Sequence, residues 1–479
     1  MKTMTSKIKI IALYTCALFC IIGCKTLAPP ADITINPLPE SYSQSKDTLN
    51  DSKLKWELFY KDESLRKLIG TALTNNYDLQ TASQKIEMMR ASVQFNKGAQ
   101  LPTISAGLSA AQRKFGLFTM DGAGNASTDI QPGRIVPEHL PDYFAGFNAS
   151  WEVDVWGKLR SNKKAAIARF SSSIEGRNAI QTALIAEVAS AYYDLVALDT
   201  ELDIVKENID IQQAALDIIK VKKEAGILNE LAVKQFEGQV NNSKGFEYKL
   251  LQQITLVENK INYLCGQFPQ KISRDKARFN SLNPDVVTVG IPSQLLANRP
   301  DFRQAELELF ASKFDLKAAK AAFYPSFTIT GALGFQAFTT GLLFQSPQSI
   351  AYTLLGGVAA PLVNRSALKA QYNTISAQQT EALLNYQKTI LNGYLEVSNE
   401  LSNIKNLEKL YELKNKEVLA YGQSTTIAND LFMSGMATYF EVLMAQRTAL
   451  DARIDMIITK KLQYQAMINL YKALGGGTP

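Results

Sequence analysis

The chain has 479 residues, of which 46% are hydrophobic and 20% are charged, and its formal net charge is +6. This is an ordinary globular composition, with enough length for a large core or for two or three domains. The charge is mild and no basic block with interleaved aromatic residues occurs, so the sequence predicts no nucleic-acid partner. It contains no P-loop and no catalytic His, Cys or Ser constellation, and we expect neither an enzyme nor a cofactor.

The first residues are typical of a targeting segment. Three lysines among the first nine residues precede an apolar run over residues 10–22, which is too short to span a membrane as a mature helix. The run ends in Ile21-Ile22-Gly23-Cys24, which resembles the bacterial lipobox. The resemblance implies that residues 1–23 are a lipoprotein signal peptide and that Cys24 is lipidated, whereas a plain secretory signal is the alternative. Lys25 follows, which in many Gram-negative bacteria permits sorting to the outer membrane.

Residues 24–55 contain four prolines among polar residues, so we expect a lipid-anchored extended arm. A first structural repeat follows over residues 56–265. Apolar residues spaced by three and four predict helices, and alternation of apolar and polar residues predicts strands. The predicted strands cover about 101–115 and 142–156, separated by a loop over 116–141, and the predicted helices cover about 63–97, 158–225 and 230–265.

The long predicted helix over 158–225 carries a heptad seam. Its apolar positions step by alternating four and three residues from Leu184 to Ile209. A period of 3.5 residues predicts left-handed supercoiling against neighbouring helices. At about 1.5 Å per residue this helix would be roughly 100 Å long. Gly226 interrupts the pattern, and the helix over 230–265 would return beside the first.

After a predicted equatorial connector over residues 266–298, the same plan occurs again in a second repeat over 299–479. Glu396 and Gly435 each lie 209 positions after their counterparts Glu187 and Gly226, which supports an internal duplication. The predicted strands cover about 324–338 and 351–362, and the predicted helices cover about 300–322, 365–434 and 438–474.

Residues 290–301 match the pattern G-I-P-S-x-L-L-x-x-R-P-D, and Arg303, Ala305 and Glu306 continue it. Taken alone, this stretch reads as a connector that starts a helix at Pro300. It also closely resembles the motif of TolC-like outer-membrane efflux lipoproteins, in the OprM-like, NodT-type branch that serves RND tripartite pumps. The terminal Y-K-A-L-G-G-G at 471–477 is similar to the same family, and the resemblance covers nearly the whole mature chain.

Four strands cannot close a barrel, and an open sheet edge in lipid would leave backbone groups unpaired. If the strands meet lipid, the chain must therefore oligomerise, and the physics allows eight, twelve or more strands. Among these possibilities, the resemblance to the family implies a homotrimer with twelve strands. The expected fold is an α+β membrane protein with a duplicated strand hairpin and a long coiled-coil helical hairpin, in which a trimeric 12-stranded β-barrel continues into a periplasmic α-helical barrel.

The turns at Gly226 and Gly435 are predicted to form the periplasmic tip, because glycine lets the chain reverse where φ is positive. The resemblance places a gate there, with matches to the family pattern at Gly435, Val442, Leu443, Ala445 and Gln446. Glu441 stands where the family usually has an acid, so three copies would form a ring of like charge, while a solvated helix face is the alternative. Met444 departs from the pattern, since an aspartate is common there, and predicts a weaker or partly apolar gate.

Met433, Met436 and Met444 cluster near the second turn. Thioethers bind Cu(I) and Ag(I), but flexible packing against a partner's tip is the interpretation that we adopt, and we predict no metal site.

The expected function is a passive exit duct in the outer membrane for small toxic compounds, delivered by an inner-membrane RND-type pump and a periplasmic adaptor protein. A duct for protein secretion and a structural coiled-coil lipoprotein are the alternatives. The sequence itself names neither the substrate nor the pump.

Overall fold

The structure of the chain, a computed structural model, describes residues 39, 41–42, 55–276, 279, 289–361, 363 and 365–477. The predicted signal peptide over residues 1–23, the predicted lipidation site Cys24 and most of the predicted arm over residues 24–55 lie outside the described residues.

Helices dominate the described part of the chain. They are α1 (Trp56–Phe59), α2 (Glu63–Asn75), α3 (Tyr77–Gly98), α4 (Met120–Ser127), α5 (Lys158–Glu224), α6 (Glu230–Leu264), α7 (Leu295–Asn298), α8 (Pro300–Ala321), α9 (Arg365–Met433) and α10 (Tyr439–Ala473). With 67 residues in α5 and 69 in α9, the two long helices each extend roughly 100 Å. None of the helices in these described segments combines the length and the apolarity needed to cross a membrane.

The strands are β1 (Thr103–Arg113), β2 (Asp129–Gln131), β3 (Arg134–Ile135), β4 (Leu140–Val153), β5 (Ser326–Ala337) and β6 (Ile350–Ala359). Four of them form one antiparallel sheet in the order β1-β4-β5-β6, so the strand hairpins of the two repeats lie side by side. The short strands β2 and β3 form a separate ribbon in the loop between β1 and β4.

The register gives this sheet two different faces, because directly paired residues of antiparallel strands project to the same side. One face, here called the polar face, carries Thr103, Ser105, Gly107, Ser109, Ala111, Arg113, Leu140, Asp142, Phe144, Gly146, Asn148, Ser150, Glu152, Ser326, Thr328, Thr330, Ala332, Gly334, Gln336, Ala351, Thr353, Leu355, Gly357 and Ala359. The other, the apolar face, includes Ile104, Leu108, Tyr143, Phe147, Trp151, Phe327, Ile329, Leu333, Phe335, Ile350, Tyr352, Leu354 and Val358.

The largest hydrophobic core surrounds the middle of α5. Tyr192, Leu195 and Val196 are fully buried there, against residues of α2, α6 and α10. The Tyr192 hydroxyl donates a hydrogen bond of 2.7 Å to Asp62, whose other carboxylate oxygen accepts from the backbone N–H of Leu65 at the start of α2. The centre of the long helix is thereby attached to the helices that begin the first repeat.

The single helix predicted over residues 63–97 is wrong, because the chain breaks at Asn76. Asn76 has an extended backbone, and its side-chain oxygen accepts from the N–H of Leu79 at 3.0 Å, so it caps α3. Its amide group also donates to the carbonyl of Leu264 at 3.0 Å, which fixes the break against the end of α6. The break is favoured because the Asn76 side chain satisfies backbone groups at the ends of two helices, which it could not do inside a continuous helix.

The predicted loop over 116–141 is also more ordered than expected. It contains α4 and the β2–β3 ribbon. Thr119 caps α4 by accepting a hydrogen bond of 3.1 Å from the N–H of Gly122. The high glycine content of this stretch favoured a loop in the sequence, but one cap and one ribbon suffice to order it.

Candidate functional site: the helical tip and the equator

The first helical hairpin reverses at Gly226, which has a φ of +73°. The N–H of Gly226 donates to the carbonyl of Lys223, and the N–H of Ile227 donates to that of Lys222, both at 2.9 Å. An added Cβ at Gly226 would contact nothing within 4 Å, so the left-handed backbone alone requires glycine here. Asn229 then caps α6 by accepting from the N–H of Ala232 at 3.2 Å.

The second hairpin reverses at Gly435 in the same way, with a φ of +77°. The N–H of Met436 donates to the carbonyl of Leu431 at 2.8 Å. Helix α10 starts with a capping box, in which the Glu441 carboxylate accepts from the backbone N–H of Thr438 at 2.6 Å and from its hydroxyl at 3.0 Å. The pattern T-x-x-E at 438–441 is a sequence signature of this cap, and it is the signal that could have identified it.

The capping box gives Glu441 a structural role beside the predicted gate role. Its side chain is exposed at the tip, and one of its oxygens carries both hydrogen bonds to Thr438. The fixed geometry orients the carboxylate, and the negative charge lies at the positive end of α10. A gate built on Glu441 would therefore use a preoriented carboxylate.

Large apolar side chains are exposed around the two turns. The exposed fractions are 66% for Met433, 74% for Met436 and 39% for Met444, and Ile227 and Phe440 are also exposed. Exposed, flexible thioether side chains suit contact with another protein surface. Across the residues that the structure describes, no group of three or more His, Cys, Asp or Glu side chains is arranged to hold a metal ion.

The two tips of one chain pack against each other. Phe432, Tyr439 and Leu443 of the second hairpin contact a buried cluster of the first hairpin that includes Leu216 and Phe236. The ammonium of Lys222 lies 3.9 Å from the centroid of the Phe432 ring, a cation–π contact between the hairpins. Movement of one tip must therefore break apolar contacts with the other.

A second cluster lies at the equator, halfway along the long helices, and Arg299 is at its centre. This side chain is 7% exposed. It pairs with both carboxylate oxygens of Asp301 at 2.7 and 3.0 Å, with Glu396 of α9 at 2.7 Å, and with the carbonyl of Ala473 at the end of α10 at 2.8 Å. Burial alone would lower the pKa of Arg299, but the two carboxylates raise it, so the guanidinium remains charged. The R-P-D motif is thus the junction of α8, α9 and α10.

Tyr42 of the arm is buried at the same equator, with 2% of its surface exposed. Its ring stacks on Tyr394 of α9, with centroids 5.5 Å apart, and packs in one core with Phe302 and Val397. Its hydroxyl is buried without a hydrogen-bond partner, and burial raises its pKa. Sequence patterns gave no signal for this contact, because the arm has no periodicity.

A two-faced antiparallel sheet joined to two helical hairpins, in each of which one helix extends about 100 Å, is typical of a membrane-associated protein, since the chain leaves the apolar face of its sheet uncovered. The sequence profile of the family described as outer membrane efflux protein matches residues 68–267 and 291–476, and the chain belongs to this family. It is accordingly an outer-membrane efflux channel.

Relatives match over almost their whole length. The chain is 29% identical over 458 residues to the pyoverdine export outer membrane protein OpmQ of Pseudomonas putida, covering 95% of each chain. It is 26% identical over 476 residues to the probable outer membrane lipoprotein SilC of Salmonella typhimurium, covering 98% of this chain and 99% of the relative.

Solved structures show the same fold. A membrane protein from Pseudomonas aeruginosa superposes with a TM-score of 0.84 at 24% identity, covering 94% of this chain and all of the other. A structure of CusC superposes with a TM-score of 0.81 at 23% identity, covering 94% of this chain and 99% of the other.

Proposed function

We propose that three copies of this chain form a passive exit duct, in which twelve strands close a β-barrel in the outer membrane and twelve long helical segments continue it into the periplasm. The observation that carries the proposal is the two-faced sheet. Its apolar face would contact lipid, and its polar face would line the duct.

The ends of the sheet support closure by several chains. Within the described residues, β1 and β6 each pair on one side only. Unpaired backbone groups in lipid cost several kcal/mol each, so these edges need partners from other copies. Twelve strands at a spacing of about 4.8 Å and a tilt of about 40° would give a backbone radius of roughly 12 Å, wide enough for a small-molecule duct.

The strand lengths suit a bilayer. The 11 residues of β1 extend roughly 36 Å at about 3.3 Å per residue, which corresponds to a height of roughly 28 Å at a tilt of about 40°. Trp151 and Phe327 lie at one end of the apolar face, Tyr143 and Phe335 lie near the other, and Phe147 and Tyr352 share a row between them. Aromatic residues near both ends are typical of strands that reach the two membrane interfaces.

The names of relatives support small compounds as the substrates. They include a pyoverdine export protein, cation efflux proteins and a toluene efflux pump protein. We infer that this chain also exports small toxic compounds, which an RND-type inner-membrane pump delivers through a periplasmic adaptor. The adaptor would contact the exposed side chains around the turns at Gly226 and Gly435. Opening would be a shift of the helices that flank Gly435, biased by the adaptor.

The test is photocrosslinking in cells from position 436, with a photoreactive residue in place of Met436, followed by mass spectrometry of the captured partner. Capture of a periplasmic adaptor is the expected result, and a photoreactive residue at Tyr248, which is 73% exposed far from the tip, is the control. Capture of only cell-wall or outer-membrane components from position 436 would refute the tip assignment and favour a structural lipoprotein. Capture of a protein-secretion component would favour that alternative.

The lipid anchor is tested separately. We propose that Cys24 carries the lipid, so labelled palmitate should be incorporated into the parent chain and lost in Cys24→Ala. Incorporation that persists in Cys24→Ala would contradict this site.

A further inference from the structure

The polar face of the sheet has few charges, and they lie at its two ends. Within the four strands this face carries only three charged residues, namely Arg113, Asp142 and Glu152. Glu152 is at the helical end, where it pairs with Lys158 at 2.5 Å. Arg113 and Asp142 are at the opposite end, next to the loops. The rows between them contain only uncharged side chains, most of them small.

Arg113 and Asp142 belong to a network that joins three strands. A guanidinium nitrogen of Arg113 in β1 lies 3.2 Å from one carboxylate oxygen of Asp142 in β4, and the amide of Gln336 in β5 donates to the other oxygen at 2.7 Å. Both oxygens of the carboxylate are therefore engaged. The exposed fraction is 19% for the Asp142 side chain and 61% for that of Arg113, so the charge that reaches the open space is the cation.

The strands beneath this network are held in place. Phe144 is the single aromatic residue on the polar face of the four strands, and its ring tip lies 2.8 Å from where a Cβ on Gly146 would stand. Gly146 and Gly334 pair directly, and an added Cβ on Gly146 would lie 2.5 Å from the Cα of Gly334. A sheet can curve at a glycine, and an aromatic ring packed over that glycine helps to keep the strand register. The position of Asp142 two residues further along β4 is thereby fixed.

We propose that Arg113, Asp142 and Gln336, repeated in three copies, form a charged ring at the outer exit of the duct, which favours the passage of anionic solutes. The proposal rests on the trimeric duct described above. Rings of Arg or Lys select anions in pores because they raise the local concentration of counter-ions. In a lumen whose neighbouring rows are uncharged, three guanidiniums dominate the local potential. The three carboxylates oppose them only in part, since they are largely covered.

The measurement is the reversal potential of purified trimers in a planar bilayer under a KCl gradient, for the parent, Arg113→Gln and Asp142→Asn. Three charges at roughly 10 Å from the axis should change the permeability of each ion about twofold in opposite directions at ~0.1 M salt, and hence the cation-to-anion ratio about fourfold. The change should be larger at ~0.01 M, where screening extends over about 30 Å. Arg134→Gln is the matched control, because it removes one exposed cation from the β2–β3 ribbon instead of from the sheet.

Arg113→Gln should increase the preference for K⁺, Asp142→Asn should increase the preference for Cl⁻, and Arg134→Gln should match the parent. Shifts of opposite sign cannot result from a general distortion of the barrel. Equal reversal potentials in the parent, Arg113→Gln and Asp142→Asn would overturn the exit ring while leaving the duct intact. A parent protein that is purified as a monomer would overturn the duct and the ring together.

Discussion

Gly393 of α9 is buried where the equatorial cluster is densest, and we predict that Gly393→Ala destabilises the protein. An added Cβ would lie 2.7 Å from a ring carbon of Phe302 and 3.1 Å from the guanidinium carbon of Arg299. Phe302 is 1% exposed, and Arg299 is held by its hydrogen bonds to Asp301, Glu396 and Ala473, so neither neighbour can move freely. Overpacking of this kind costs about 1–3 kcal/mol, against a gain of about 0.5–1 kcal/mol from replacing glycine in a helix. We expect a net loss of about 1 kcal/mol.

The matched control is Gly422→Ala, which makes the same substitution in the same helix. An added Cβ at Gly422 would meet nothing within 4 Å, so only the gain in helix propensity remains. Thermal unfolding of the purified proteins, followed by circular dichroism in one detergent, should give an apparent Tm roughly 2–4 °C below the parent for Gly393→Ala, and at or slightly above it for Gly422→Ala. A Gly393→Ala protein that unfolds at or above the parent temperature would refute the tight packing at this junction.

Three further predictions concern the arm, the buried thiol and the tip. Tyr42→Phe should leave stability unchanged or raise it by about 1 kcal/mol, because the hydroxyl has no hydrogen-bond partner. Tyr42→Ala should cost about 3 kcal/mol and expose the arm to limited proteolysis. Equal protection of the arm in the two variants would contradict this docking. Burial raises the pKa of Cys265 to about 11, so its thiol should not react with a colorimetric disulfide reagent at pH 8 until the protein unfolds, and rapid reaction of the folded protein would show that it is not buried. Thr438→Ala should cost about 0.5–2 kcal/mol and speed hydrogen exchange at residues 439–443, and unchanged exchange there would argue against the capping box.

The sequence predicts local features well, because they depend on neighbouring residues. The heptad seam and the two glycines suffice to locate α5, α9 and their turns, since period and positive φ are local properties. The break at Asn76 is harder to find, because one of its hydrogen bonds joins it to Leu264, 188 positions away.

The equatorial cluster could not be predicted in this way. The partners of Arg299 include Glu396 and Ala473, which are 97 and 174 positions away. The sequence marks Arg299 as part of a motif, but only the fold shows that it joins three helices. The exit network is equally non-local, since Asp142 and Gln336 are 194 positions apart.

The two repeats keep the same backbone landmarks and differ in the chemistry placed on them. Asn229 and Thr438 lie 209 positions apart in the chain, and each is the N-cap residue of the second helix of its hairpin. At the equator, Gly266 and Gly475 show the same offset, and an added Cβ on either would lie 2.5 Å from a backbone carbonyl oxygen, that of Asn75 or Asn298. Geometry set by the backbone has therefore been retained through the duplication.

At two corresponding positions, by contrast, the second repeat carries a charged side chain where the first carries a neutral one. The residue after Asn75 is Asn76, a neutral side chain that donates to the carbonyl of Leu264, whereas the residue after Asn298 is Arg299, which donates to the corresponding carbonyl of Ala473 and also binds Glu396. At the tip, the position that holds Glu441 in the second hairpin holds Ala232, fully buried, in the first. A buried ion pair holds helices in one arrangement strongly, because separating its partners leaves uncompensated charge. At the break before its first long helix, the second repeat is therefore held by an ion pair, whereas the first repeat is held there by neutral hydrogen bonds.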